Sequence, residues 1–394
     1  MGLFDKTFLL KQQADYLRAN NQFFYLREID PAASPVVTRH GKKMINLGSN
    51  NYLGLTENVE VKQAAIKTIE QYGTGSCGSR ILTGTTSLHI EMEKRLAAFK
   101  KTEDSITFSA GFMALMATIA AITDKNDTIF SDELNHASII EGCRMSRAKT
   151  VVFKHSDMAD LEQKLAQVGA DANKLIITDG VFSMKGDVAD LPGIKKLADQ
   201  YHAEIMVDDA HGTGVLGATG RGTLEHYNME GQVALISGTF SKSFAAVGGF
   251  TCARADIIDF LKLSSRPFIF TASPPPSVAA TIITAIDVIE KNPQIVQTLS
   301  SNSSFLKNGL KDLGFTLDDT ITPIIPIIIN DDTKAFMMTG LMEEEGVFVN
   351  PVIFPAVPKD HSIIRVSLSA AHTKEDLSLA LDKFKTVGKK LAII

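Results

Sequence analysis

The chain has 394 residues, of which 44% are hydrophobic and 22% charged, with a formal net charge of −5. That length exceeds one simple core and predicts a large domain with a smaller one. The mildly acidic balance gives nucleic acid no electrostatic footing, and no apolar run approaches the roughly 18 residues of a membrane span.

The N-terminus, MGLFDKTFLLKQQADYLRANN, lacks the apolar core and small-residue cleavage site of a secretory signal. It misses the myristoylation pattern because Lys6 stands where Ser or Thr is required. It reads as an amphipathic helix packing on its own protein, with at most peripheral membrane contact. Residues 1–55 form an N-terminal arm ending in MINLGSNNYLGL. From 56 to 290, short apolar runs alternate with helical patterns. The strand candidates are SITF (105–108), DTIF (127–130), TVVF (150–153), LIIT (175–178), EIMV (204–207) and ALIS (234–237). Such alternation predicts an α/β domain with a mostly parallel sheet and helices on both faces. After Pro274-Pro275-Pro276 comes a helical stretch. Residues 291–394 predict a smaller α+β domain with ITPIIPIIIN and IIRVSLS as strands. Cys77, Cys143 and Cys252 have neither a disulfide nor a zinc spacing, so packing or close-backbone roles and a reduced, cytoplasmic setting are expected.

Ligands of open α/β sheets sit beyond the carboxyl ends of the strands, and the polar residues fall there. SITF runs into Ser109-Ala110-Gly111-Phe112, a small-residue turn opening a helix, which is a natural phosphate cradle. DTIF leads to His136 just before a helix, where a flat imidazole can stack on an aromatic ligand. EIMV leads to Asp208 and, three residues on, His211; a carboxylate buried at a strand end needs a cationic partner, such as a protonated pyridine nitrogen. ALIS leads to Gly238-Thr239-Phe240-Ser241-Lys242-Ser243. A lysine among small and apolar residues is unusual, and burial lowers its pKa and makes the amine nucleophilic, as a Schiff-base lysine requires. Together these residues suggest pyridoxal 5′-phosphate (PLP) as cofactor, and no metal.

The runs YGTGSCGSRILTGT, DELNHASIIEGCR, TDGVFSMKGD, VDDAHGTGVLGATGRG, GTFSKS and GVFVNPVIFPAVP resemble the α-oxoamine synthases of the fold-type I PLP group. The resemblance extends from NLGSNNYLGL to RVSLSAAHT. It implies that Lys242 tethers PLP and moves the substrate α-proton, that Asp208 pairs with the pyridine nitrogen, and that His211 bonds the ring phenolate. It implies that His136 stacks on the ring with Ser183 beside it. Ser109, Gly111, Phe112, Thr239 and Ser241 would hold the phosphate, and Thr271 would reach the phosphate of a neighbouring subunit in a homodimer with shared active sites. Asn51 and Arg365 would bind an amino-acid carboxylate, which an arginine fork fits bidentately.

The reaction so implied is a decarboxylative Claisen condensation of an amino acid with an acyl-CoA, giving a 2-amino ketone, CoA and CO2. GTFSKS and GVFVNPV resemble the serine palmitoyltransferase branch, which joins L-serine to a long-chain acyl-CoA. DDAHGTGVLGATGRG resembles at least as closely the biotin-pathway branch, which uses L-alanine and a pimeloyl thioester. A glycine and acetyl-CoA ligase is the further alternative.

Overall fold

The computed structural model describes residues 2–20, 22–30 and 33–394. The arm forms an antiparallel pair, β1 (Val36–Arg39) and β2 (Lys42–Asn46). Seven strands then build the central sheet: β3 (Asp104–Phe108), β4 (Thr128–Asp132), β5 (Lys149–Phe153), β6 (Lys174–Asp179), β7 (Glu204–Asp208), β8 (Leu235–Thr239) and β9 (Gly249–Ala253), in the order β3-β9-β8-β7-β6-β4-β5. Strands β4 to β8 run parallel to one another. β9 is antiparallel to both of its neighbours, β3 and β8.

The six strand candidates of the large domain all form. β4, β6 and β8 are buried at every position, so they read as continuous apolar runs and not as alternating ones. The edge strand β5 has no strand on its outer side and leaves Val152 exposed. β9 was not among the candidates. Its sequence, GFTCA, follows the lysine loop and opens on glycine, yet all five positions are buried between β3 and β8.

The C-terminal strands are β10 (Ile324–Ile328), β11 (Val347–Phe348), β12 (Asn350–Val352) and β13 (Ile363–Ser367). They make an antiparallel sheet β10-β13-β12, while β11 pairs in parallel with β2 and joins the arm to this part of the chain. Arg27 reinforces that joint, donating to Val349 O at 2.8 Å with its guanidinium 3.9 Å over the Phe348 ring.

One expectation is corrected. The N-terminal helix (Asp5–Ala19) forms, but none of its residues is buried, and Phe8, Leu9 and Leu10 remain exposed. Among the described residues of this chain, its apolar side chains meet no facing element. Cys143 and Cys252 are buried packing residues, whereas Cys77 is exposed at φ 47° in a loop.

Candidate active site

A cavity of about 340 Å³ opens at the carboxyl ends of β6, β7 and β8, lined among others by Gly111, His136, Asp179, Asp208, His211 and Lys242. Asp208 is the last residue of β7. It is in register with Asp179 on β6 and with Ser237 on β8. Only 4% exposed, it accepts the Ala210 N–H at 3.0 Å, and no salt bridge reaches it among the described residues. Burial raises its pKa to about 6, against the pull of the nearby Lys242 charge. Asp179 is raised well above the ordinary carboxyl value, first by burial and then by the charge of Asp208. A pair of buried carboxyls beside a cavity is a site awaiting positive charge.

Lys242 lies in the connection between β8 and β9 and is partly buried. Burial brings its pKa down to about 8, outweighing the opposing influence of Asp208 and Asp179. His211 is buried, and desolvation, with the positive charges of Lys242 and Arg365 added, holds its pKa well below that of free histidine. The Tyr52 hydroxyl lies 2.7 Å from its Nδ1.

His136 caps the helix Ala137–Ser146. Its Nδ1 accepts the Ser138 N–H at 3.2 Å and lies 2.7 Å from the Ser138 hydroxyl, which fixes the ring plane. Desolvation of the half-enclosed ring and the charge of Lys242 both lower its pKa. Phe112 meets it edge-on, with ring centroids 6.1 Å apart.

The turn after β3 delivers Gly111 and Phe112 as the first residues of the helix Gly111–Ile122, whose leading N–H groups have no partner within the helix. Opposite them stand the Thr239 and Ser241 hydroxyls, 2.8 Å apart. A Cβ on Gly111 would lie 2.6 Å from the Thr239 Cβ, so glycine is needed for this approach.

Arg365, on β13, is buried and aimed by three partners. Its Nε donates to Ser183 O at 2.7 Å, Nη1 to the Ser367 hydroxyl at 2.7 Å, and both Nη atoms to Asn50 Oδ1 at 3.2 Å. The structure therefore brings Asn50 to the arginine, and not Asn51. The Asn51 side chain is turned away, donating to Ala33 O and to the Thr56 hydroxyl, each at 2.8 Å. Ser109 also faces elsewhere: its hydroxyl donates to Ala272 O at 2.7 Å, and with Thr271 it lines a separate crevice. Asn50, Tyr52 and Asp179 went unread in the sequence. Asp179 had a usable signal, since it follows the run LIIT at the same sheet edge as Asp208.

A model of the family described as aminotransferase class I and II matches residues 42–384. The chain belongs to this family. Within it, the serine palmitoyltransferase of Bacteriovorax stolpii is 46% identical over 379 residues, 96% of this chain and 90% of that one. The 8-amino-7-oxononanoate synthase of Thermoanaerobacter pseudethanolicus is 45% identical over 386 residues, 98% of both chains. A solved serine palmitoyltransferase from S. paucimobilis, with a bound PLP–myriocin aldimine, superposes with a TM-score of 0.97 at 34% identity, covering 100% of each chain. This family member is thus a PLP-dependent α-oxoamine synthase, a C-acyltransferase with the fold-type I architecture.

The residues present fit that cofactor. The uncompensated Asp208 suits a protonated pyridine nitrogen, and the buried His211 imidazole suits a hydrogen bond to a phenolate. The glycine-made gap between Gly111 and Thr239 suits a phosphate. When bound, PLP supplies an electron sink for a carbanion. Gly111→Ala is expected to weaken PLP binding by about 1–3 kcal/mol, the ordinary cost of overpacking. Titrating PLP-free protein by fluorescence checks this, and an unchanged Kd would mean that Thr239 and the phosphate are not in close approach.

Proposed function

We propose that this α-oxoamine synthase condenses L-serine with a long-chain acyl-CoA, palmitoyl-CoA being the model donor. The products are a 2-amino ketone resembling 3-ketosphinganine, CoA and CO2. The observation that carries the reading is the superposition on a serine palmitoyltransferase over the whole of both chains. A solved 8-amino-7-oxononanoate synthase from Francisella tularensis superposes with a TM-score of 0.76 at 26% identity, covering 89% of this chain and 99% of that one.

In this reading the Arg365 fork binds the amino-acid carboxylate, with Asn50, Ser183 and Ser367 setting its plane. Lys242 takes the α-proton, which its lowered pKa suits. His136 holds the reacting group against one face of the cavity. The substrate α-carbon then attacks the thioester carbonyl, CoA departs, and loss of CO2 is followed by return of a proton. The subunit pairs with a second copy in a dimer with shared sites. The bridge between Ser79 and Ala272 brings together two segments carrying the exposed apolar residues Ile81, Leu82 and Phe270, which supports an interface there in which Thr271 reaches the partner.

The test is CoA release from L-serine, L-alanine and glycine against acetyl-, pimeloyl- and palmitoyl-CoA. Serine with the long chain should give the highest kcat/KM. Absence of serine turnover with any long acyl-CoA would sink the proposal. Preference for alanine with pimeloyl-CoA would establish the second reading, which the 45% identity to an 8-amino-7-oxononanoate synthase favours.

A further inference from the structure

The connection after β6 is a tight hairpin in which Val181 pairs with Val188, Phe182 N–H donates to Asp187 O at 3.0 Å, and Gly186 N–H to Phe182 O at 2.8 Å. Its tip is held by residues from the C-terminal part of the chain. The Ser183 carbonyl receives Arg365 Nε, and the Gly186 carbonyl receives the hydroxyls of Thr320 at 2.6 Å and Thr322 at 2.8 Å. The other side of the hairpin is held by His155, which follows β5. The His155 Nδ1 lies 3.0 Å from Asp132 Oδ1, at the end of β4, and its Nε2 lies 2.6 Å from Asp187 Oδ2. Its ring stands edge-on to Phe182, with centroids 4.4 Å apart. The second oxygen of Asp187 is buried and has no hydrogen-bond partner, so His155 is its compensating group.

Carboxylates at both ring nitrogens demand a doubly protonated imidazole, because a neutral ring donates from one nitrogen only. We infer that His155 is a positioning residue for the amino-acid site: as an imidazolium clamped between Asp132 and Asp187, it fixes the hairpin whose Ser183 carbonyl aims Arg365. The inference rests on the reading of Arg365 as the carboxylate anchor.

The surroundings agree with a charged ring. Partial burial lowers the His155 pKa, but the hydrogen bonds and charges of Asp132 and Asp187 outweigh it and raise it to about 9. Asp132 and Asp187 face the ring directly. Glu133 accepts the His155 backbone N–H at 3.0 Å, and Asp160 accepts that of Lys154 at 2.7 Å. A histidine raised in the folded state is charged below its folded pKa. The clamp therefore holds at neutral pH and is lost as pH rises through about 9.

The test compares wild-type holoenzyme with His155→Gln, and with Asp187→Asn should the first variant fold poorly. The amino-acid KM is expected to rise about ten-fold, the scale of one charged hydrogen bond. The kcat and the acyl-CoA KM should change by less than about three-fold. Trypsin should cleave more readily after Lys185, which is exposed at the hairpin tip. Wild-type amino-acid KM should climb above about pH 9, whereas that of the variant should show no such step. An unchanged amino-acid KM, or equal losses in kcat and both KM values, would overturn the inference. Arg365→Lys in the same assay separates the two claims. If it raises the amino-acid KM while His155→Gln does not, only the positioning role fails. If it leaves that KM unchanged, the anchor reading fails.

Discussion

Lys242→Ala removes turnover while leaving a protein that still takes up PLP. The loss in kcat should be at least about 10²-fold and as much as 10⁴-fold, the range a positioned acid–base group supplies. Loss of the covalent tether adds to it. Uptake should persist because Asp208, His211 and the Gly111–Thr239 cradle are untouched. Borohydride reduction followed by peptide mapping should find the label on Lys242 in the wild type and on no lysine in the variant. Substantial remaining CoA release from Lys242→Ala would refute its role as the proton-transfer group. The reason to bet on this lysine is physical. It is held among small residues with its pKa lowered to about 8, beside a carboxylate that is itself raised to about 6.

Asp209→Ala should cost about 3–5 kcal/mol of stability, the penalty for breaking a buried ion pair from one side. Successive residues at the end of β7 point opposite ways. Asp208 faces the cavity, while Asp209 faces Lys100, with their charged atoms 2.7 Å apart and both side chains buried. The Thr213 hydroxyl donates to Asp209 at 2.9 Å and the Thr223 N–H at 3.0 Å. A Cβ on Gly222, which sits at φ 105°, would lie 1.8 Å from the same carboxylate. Removing Asp209 strands a buried ammonium and these donors together. Lys100→Met leaves the carboxylate with its remaining hydrogen bonds and should cost less. Urea unfolding at saturating PLP would measure both, and a larger loss for Lys100→Met would contradict this account. Because His211 rides on the loop that Asp209 fixes, Asp209→Ala should also loosen PLP binding.

The sheet was legible in the sequence wherever a strand was apolar on both faces and bounded by turn residues, as in LIIT before Asp179 and EIMV before Asp208. β9 was hidden because its opening glycine and its nearness to Lys242 invite a reading as loop, and pairing with β3 and β8 makes it a strand. The cavity residues at strand ends followed from the sheet-edge rule. The choice of asparagine beside Arg365 did not. Asn50 and Asn51 are adjacent and chemically identical, and the backbone turn at Ser49–Asn51 decides which one meets Arg365. Nor could sequence link His155 to the hairpin, because Asp132 ends β4 while His155 and Asp187 come from two separate connections. The N-terminal helix shows the opposite failure, since its pattern predicts a helix correctly but says nothing of what its apolar side chains meet.

The antiparallel insertion of β9 also imposes an order of assembly. In the sheet, β3 is paired with β9 alone, Phe108 opposite Gly249. The strand that leads into the Gly111 turn therefore has no sheet partner until a segment well over a hundred residues downstream has arrived. A nascent chain emerging N-terminus first can form its early helices locally, but this half of the binding site must wait for a contact of long sequence separation. Cofactor capture is then a late event in the maturation of the polypeptide, and the β3 edge is the part of the immature chain most exposed to wrong pairing.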